Sequence, residues 1–345
     1  MNLLKLTKGL VLLAFLLPIF ALAACTGSGS GSGSETEDGL TIINLNEVVR
    51  SVFYAPQYVA IELGFFEDEG IEIVLETGQG ADRSMVALIS GEAQIGLMGT
   101  EAAIYVYIEG REDHAVIFAQ LTGRAGNFLV ARGRDEMQNF TWDDVRGRTI
   151  IGGRPGGMPQ MVLEYVLYLH DIEPGVDVEI ITNLAFTTTA GAFVGGIGDF
   201  TAEFDPSALE IERAGHGHVV TGLANYTGAL PYTVYMANRS FIEANPDIIQ
   251  RFTNAVRRGQ QWVADHSPAE IAEVISPFFP HSDMEDLIFI VNRYQSQNTW
   301  LNNPLVDEAG FSLLQDIMEH GGELGRRVSF NTLVNNDFAQ NSMHY

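Results

Sequence analysis

The chain has 345 residues, 46% of them apolar, enough for two domains or one domain of two lobes with sizeable cores. Its 44 acidic and 19 basic residues give a formal net charge of -25, which repels nucleic-acid phosphates and argues against a nucleic-acid partner. The one cysteine, Cys25, rules out an internal disulfide and a multi-cysteine zinc site, and the absence of lysine after Lys8 rules out a P-loop lysine and a Schiff base.

Lys5 and Lys8 precede an apolar run, Val11 to Ala24, that closes as Leu22-Ala23-Ala24-Cys25. A positive start, a short apolar core and small final residues predict a signal peptide over 1–24. The run is too short for a membrane span. Its end resembles the lipobox of bacterial lipoproteins, in which the cysteine is acylated and becomes the mature N-terminus. Gly27 to Ser34 alternates glycine and serine, and an acidic cluster follows. Such a segment buries no core, so 25–39 is expected to be a flexible, lipid-anchored tether. Without the leader, seventeen arginines face the 44 acids, a formal charge of -27.

From Leu40 onward strand and helix signals alternate. Thr41 to Leu45 reads as a strand and Pro56 to Leu63 as a helix stopped by Gly64. Ile71, Ile73 and Leu75 alternate with Glu72 and Glu76, the pattern of a half-buried strand. Ala81 to Ser90 is helical, Gln94 to Met98 a strand, Glu101 to Glu109 a helix; Ala115 to Leu121 and Phe128 to Ala131 are strands. The βαβα rhythm predicts an α/β sheet with helices on its faces.

A second unit opens at Thr141 to Val145 with a Thr-x-x-Asp capping pattern. Arg148 to Gly152 reads as a strand. Met158, Met161, Val162, Tyr165, Val166 and Leu169 form the apolar face of a helix. Val178 to Thr182, Gly198 to Ala202, His218 to Gly222 and Tyr232 to Ala237 read as strands, with a helix from Pro206 to Ala214. The last third is helical. Asn245-Pro246 and Ser267-Pro268 open helices, Ile248 to Val263 line one long face, and 283–294 and 307–319 are further helices. No repeat and no second linker interrupt the chain.

Four local patterns then stand out. They are Phe53-Tyr54-Ala55-Pro56-Gln57-Tyr58 ahead of Leu63-Gly64-Phe65-Phe66; Ala87-Leu88-Ile89-Ser90-Gly91-Glu92-Ala93-Gln94-Ile95-Gly96; Asp144-Val145-Arg146-Gly147-Arg148-Thr149-Ile150; and Glu203-Phe204-Asp205-Pro206. In this order and spacing the chain, from about Leu40 to Leu333, resembles the solute-binding proteins of ABC importers for thiamine pyrimidine precursors and aliphatic sulfonates. The resemblance implies a type II periplasmic-binding fold, two α/β lobes joined by two crossover strands. Lobe I would take 40–128 plus 238–345 and lobe II 129–237, with Phe128–Ala131 and Tyr232–Ala237 as the crossovers. It implies ligand capture between the lobes and delivery to an ABC permease and its ATPase. It also implies a monomer held at the extracytoplasmic face of a bacterial membrane by its lipid anchor, with no cofactor.

Ligands of open α/β sheets bind outside the carboxyl ends of the strands, which selects the candidate site residues. Phe53 and Tyr54 would stack on a planar heterocycle, with Gln57 bonding its edge; packing at the helix start is the structural alternative. Gly99, Thr100 and Glu101 open a helix whose N–H groups can grip a polar atom, unless Thr100 only caps it. Arg154, Gly156, Gly157 and Met158 offer a positive charge, a close backbone and a helix N-terminus. Glu203 would accept hydrogen bonds from an aminopyrimidine and Phe204 would stack, while Asp205 caps the following helix. Tyr232 would line the cleft near the hinge. His216-Gly217-His218 is read as a turn into a strand, not a metal site.

These residues favour a thiamine pyrimidine precursor as ligand. A sulfonate or other small anion seated on Arg154 and the Gly156-Gly157 turn, or a riboflavin-like vitamin, are the alternatives. Fungal proteins similar to this chain make the thiamine pyrimidine from pyridoxal phosphate and histidine, using a lysine. The mature chain has none, and it shows no nucleophile elbow, metal cluster or phosphate loop. The expectation is a receptor, not an enzyme.

Overall fold

The computed structural model describes residue 36 and residues 38–133 and 139–344. The expected signal peptide, Cys25 and the tether as far as 35 lie outside the described residues. No described helix is long and apolar enough to cross a membrane.

Among the described residues, ten strands form two five-stranded sheets. The first holds β1 (Thr41–Glu47), β2 (Ile71–Thr77), β3 (Ile95–Met98), β4 (Ala115–Thr122) and β10 (Thr233–Asn238), in the order β2-β1-β3-β10-β4. The second holds β5 (Asn127–Arg132), β6 (Thr149–Ile151), β7 (Glu179–Ile181), β8 (Phe200–Phe204) and β9 (Gly217–Gly222), in the order β7-β6-β8-β5-β9. The two orders are the same pattern. In each sheet one edge strand and the next two run parallel, and the fourth strand is antiparallel to both neighbours. That antiparallel strand is the one delivered from the other sheet. β5 follows β4 through 123–126, and β10 follows β9 through 223–232. The strands expected as crossovers are therefore fourth strands of their sheets, and the passages lie just ahead of them.

The hydrophobic pattern explains the layers. β4 and β5 are buried along nearly their whole length, as strands covered on both faces must be. β2, at one edge of its sheet, is only partly buried along most of its length. The helix Met158–Leu169 buries Met158, Met161, Val162 and Val166 as read, while Tyr165 is half-buried and Leu169, near the helix end, is exposed. The long helix Pro246–Asp265 buries Ile249, Phe252, Val256 and Val263 and packs on the helix Ala55–Glu62. Capping follows the sequence at Thr141 and Ser267, whose backbone N–H groups donate to Asp144 and Glu270 at 2.7 and 2.9 Å. Asn245 departs from it: its side-chain amide donates to the Phe241 carbonyl and makes no side-chain cap.

The C-terminal third ties the two sheets together. Arg293, on the helix Met284–Ser296, pairs with Asp205 at 3.2 Å and Glu212 at 3.0 Å. The next residue, Tyr294, accepts from the Asp205 amide at 3.1 Å and donates to the Gly126 carbonyl of the first passage at 3.0 Å. Asp205 also accepts from the Leu209 amide, so its carboxylate serves the start of the helix Ser207–Arg213.

Candidate functional site

The segments after β1, β2, β3, β6 and β7, the end of β8 and the start of β10 converge on a cleft between the sheets. An inner cavity of about 80 Å³ is walled by Tyr54, Phe186, Phe204 and Tyr232, with Val48, Val49 and Met158 beside them. Glu101, Arg154 and the backbones of Gly80, Gly99 and Gly157 complete it. A larger outer chamber, about 610 Å³, adjoins it and shares Ala81, Glu101, Arg154 and Gly157. Asp82, Tyr105 and Glu323 line only the outer part.

Four rings make the inner wall apolar, and a fifth supports them. Phe53 is 1% exposed and lies behind the wall. Its centroid is 5.5 Å from that of Tyr54, 5.4 Å from Phe204 and 5.6 Å from Tyr232. Such tilted and edge-on aromatic contacts fix ring planes. Phe53 thus sets the planes of the wall rings without lining the cavity.

Glu101 supplies the polar feature. It is 3% exposed, and its Oε1 accepts a long 3.4 Å hydrogen bond from the Met158 amide across the cleft. Its Oε2 has no partner. Burial pushes the carboxyl up to about 7, with the backbone hydrogen bonds opposing that rise. The Tyr232 hydroxyl is likewise buried without a partner, and burial raises its pKa so that it stays a phenol. A buried polar atom left unpaired is costly, and two such atoms stand on this one cavity wall.

Arg154 is the one cation among the described lining residues, and it is already engaged. Its Nη1 and Nη2 donate to Asp82 Oδ1 and Oδ2 at 2.7 and 3.0 Å. Asp82 follows β2 and Arg154 follows β6, so this fork bridges the two lobes. The Tyr105 hydroxyl adds a further bridge, donating to the Gly156 carbonyl at 2.8 Å.

Of the residues read from sequence, Tyr54, Glu101, Arg154, Gly157, Met158, Phe204 and Tyr232 line the inner cavity, and Gly156 lines the outer chamber. Gly156 has φ +70°, a conformation that favours glycine. Four others stand off the wall. Phe53 backs the rings. Gln57 is fully buried: it donates to Glu47 at 2.8 Å and accepts from Tyr235 at 3.0 Å. Thr100 neither caps a helix nor faces the cavity; its hydroxyl donates to the Pro231 carbonyl at 2.6 Å. Glu203 accepts from Thr201 at 2.7 Å and Thr189 at 3.1 Å, which occupies both carboxylate oxygens. His218 lies on β9 with Nδ1 against the Gly133 carbonyl. Sequence reading passed over Val48, Val49, Gly80, Phe186 and Asp82. The first four carry no polar signal, and Asp82 looks like an ordinary first-turn acid of a surface helix.

Residues 52–271 match the NMT1/THI5-like family, a span that covers most of both sheets. The chain belongs to the NMT1/THI5-like family. This NMT1/THI5-like chain is also 40% identical over 322 residues to YtlA of Bacillus subtilis (strain 168), a candidate binding protein by its name, covering 93% of each chain. Among solved structures it is similar to the ligand-binding component of an ABC-type import system from Staphylococcus aureus. There the TM-score is 0.71 at 13% identity, covering 87% of this chain and 98% of that one. It is similar too to the alkanesulfonate-binding protein SsuA of Xanthomonas axonopodis pv. citri. In that case the TM-score is 0.66 at 15% identity, covering 88% of this chain and all of the other. At these identities the two structures establish the fold, the two-lobed periplasmic-binding arrangement, and leave the ligand to the cleft itself.

Proposed function

We propose that the protein is the extracytoplasmic solute receptor of an ABC importer, capturing a thiamine pyrimidine precursor between its lobes. Lobe I would comprise 40–128 plus 238–345 and lobe II 129–237, with the chain tethered through a lipid on Cys25 and working as a monomer. The permease and ATPase would receive the closed form. Family membership, the binding-protein relative and the two-lobed fold support the receptor role. The ligand class rests on one observation, the buried, half-satisfied Glu101 carboxylate facing a cavity walled by aromatic rings. An aminopyrimidine is flat enough to lie between Tyr54, Phe204 and Tyr232, and its N–H donors suit Glu101 Oε2. Because Glu101 and Met158 come from opposite lobes, a ligand bonded there favours the closed form.

A small anion is the second reading. It is favoured by Arg154 and by the N-termini of the helices Ala81–Ser90 and Met158–Leu169 at the cleft. The Asp82 fork weighs against it. Titration calorimetry with the hydroxymethyl aminopyrimidine of thiamine and with butanesulfonate separates the two. We expect saturable binding of the pyrimidine and at least a tenfold loss in Glu101→Gln, since a hydrogen bond to a charged acceptor is worth ~1.5–3 kcal/mol. Binding of the pyrimidine unchanged by Glu101→Gln would overturn the assignment of Glu101. Response to the sulfonate alone would overturn the ligand class.

A further inference from the structure

The cleft holds a cation that no ligand needs to neutralise. We propose that Asp82 is a specificity-determining residue, a built-in carboxylate that occupies Arg154 and so excludes anionic ligands from the cleft. The proposal rests on the reading of the cleft as the ligand site, but its test does not depend on which heterocycle binds there.

Three observations carry it. First, the fork is complete: each guanidinium Nη meets its own carboxylate oxygen, at 2.7 and 3.0 Å, the geometry an incoming carboxylate or sulfonate would otherwise take. Second, the pair is held by local design. A Cβ on Gly80 would lie 2.5 Å from Asp82 Oδ1 and 2.6 Å from Arg154 Nη1, so glycine alone lets the fork lie over that backbone. Third, Arg154 touches both the inner cavity and the outer chamber and is the one basic residue among their described walls. The acids there, Asp82, Glu101 and Glu323, outnumber it.

The pair is partly exposed, 39% for Arg154 and 57% for Asp82, so it adds little to folding stability. Its effect on binding is different in kind. A tethered carboxylate competes at an effective concentration on the order of millimolar or more, whereas a scavenged solute is dilute. An anion therefore meets an arginine that is already taken, and acidic neighbours besides. Removing the Asp82 charge while keeping its shape leaves Arg154 free between two helix N-termini, a setting that favours anions.

The test is calorimetric titration of butanesulfonate and, separately, the hydroxymethyl aminopyrimidine into wild type, Asp82→Asn, Asp82→Ser and the double variant Asp82→Asn with Arg154→Gln. Wild type should bind the sulfonate at least tenfold more weakly than Asp82→Asn, and the double variant should lose the gain. The pyrimidine should bind Asp82→Asn within a few-fold of wild type, the small loss reflecting one bridge fewer between the lobes. Asp82→Ser repeats the test should the asparagine variant fail to fold. Wild-type sulfonate affinity equal to that of both variants overturns the proposal, and so does a gain that survives Arg154→Gln. Absence of pyrimidine binding in every form instead overturns the ligand reading and leaves the sulfonate comparison decisive for Asp82.

Discussion

Gly99 decides where the Glu101 carboxylate can lie. The side chain folds back over it, and a Cβ at position 99 would run into the carboxylate atoms. The Gly99 backbone, at φ -66° and ψ 147°, suits alanine, so Gly99→Ala should leave the fold intact and move only the carboxylate. Pyrimidine affinity should fall about tenfold, the scale of a lost charged hydrogen bond, with the thermal midpoint little changed. Calorimetry and a melting curve on one preparation check this, and unchanged affinity would refute it. Glu203 should behave in the opposite way. Its oxygens serve Thr201 and Thr189, so Glu203→Ala is expected to cost ~1–3 kcal/mol of stability and leave affinity unchanged. These two acids show how far single residues were legible. Both stand near the carboxyl end of a strand or just beyond it, which made both candidates. Neighbouring strand residues point to opposite faces, however, and at β8 it is Phe204 that reaches the cavity. Asp82 was illegible because its partner stands 72 positions away, and no local spacing announces such a pair.

Elements were far more readable than side-chain roles, because periodicity reports burial directly. Helices such as Ala81–Ser90 and Met158–Leu169 carry the spacing of a buried face and end where expected. The short turn Phe186–Thr188 and the helix Thr189–Val194 were missed, since a run of three threonines beside glycine has poor helix propensity. That miss hid Phe186 from the site. The element that matters most for closure is the helix Thr100–Ile108, which brings Glu101 and Tyr105 to the opposite lobe one turn apart. Tyr105→Phe removes the bond to the Gly156 carbonyl and nothing from the inner cavity. It should weaken the closed state by ~0.5–1.5 kcal/mol, about two- to tenfold in affinity, carried by faster release. Stopped-flow kinetics should show an unchanged association rate. A slowed association with normal release would place Tyr105 outside the closing contact.

The molecule as a whole concentrates acid where it is costly. Burial raises Glu47, Glu101 and Glu203 to about 7 and Asp205 to about 6, even though Arg50 opposes the shift at Glu47 and Arg293 at Asp205. In the unfolded chain these groups return to the ordinary carboxylate range near 4. Between the two values the folded state binds more protons than the unfolded one, so stability falls as pH rises. The contribution is complete below the unfolded values and is lost as pH climbs through about 6 to 7. Asp113, Asp177 and Glu270 are shifted the other way by hydrogen bonds and nearby cations, but Asp113 and Asp177 are only half-buried, Glu270 is exposed, and all three act at the acid end. Self-repulsion from a formal charge of -27 without the leader pushes in the same direction as the buried acids, since protonation relieves it. The tetherless protein should therefore melt at a higher temperature at pH 5 than at pH 8. Glu203→Gln, which keeps an amide in place of the buried charge, should flatten that slope without changing its sign. A melting temperature that is constant or rises from pH 5 to pH 8 would show that the buried carboxylates are ionised at little cost. Glu101 would then be an ionised acceptor across that whole range.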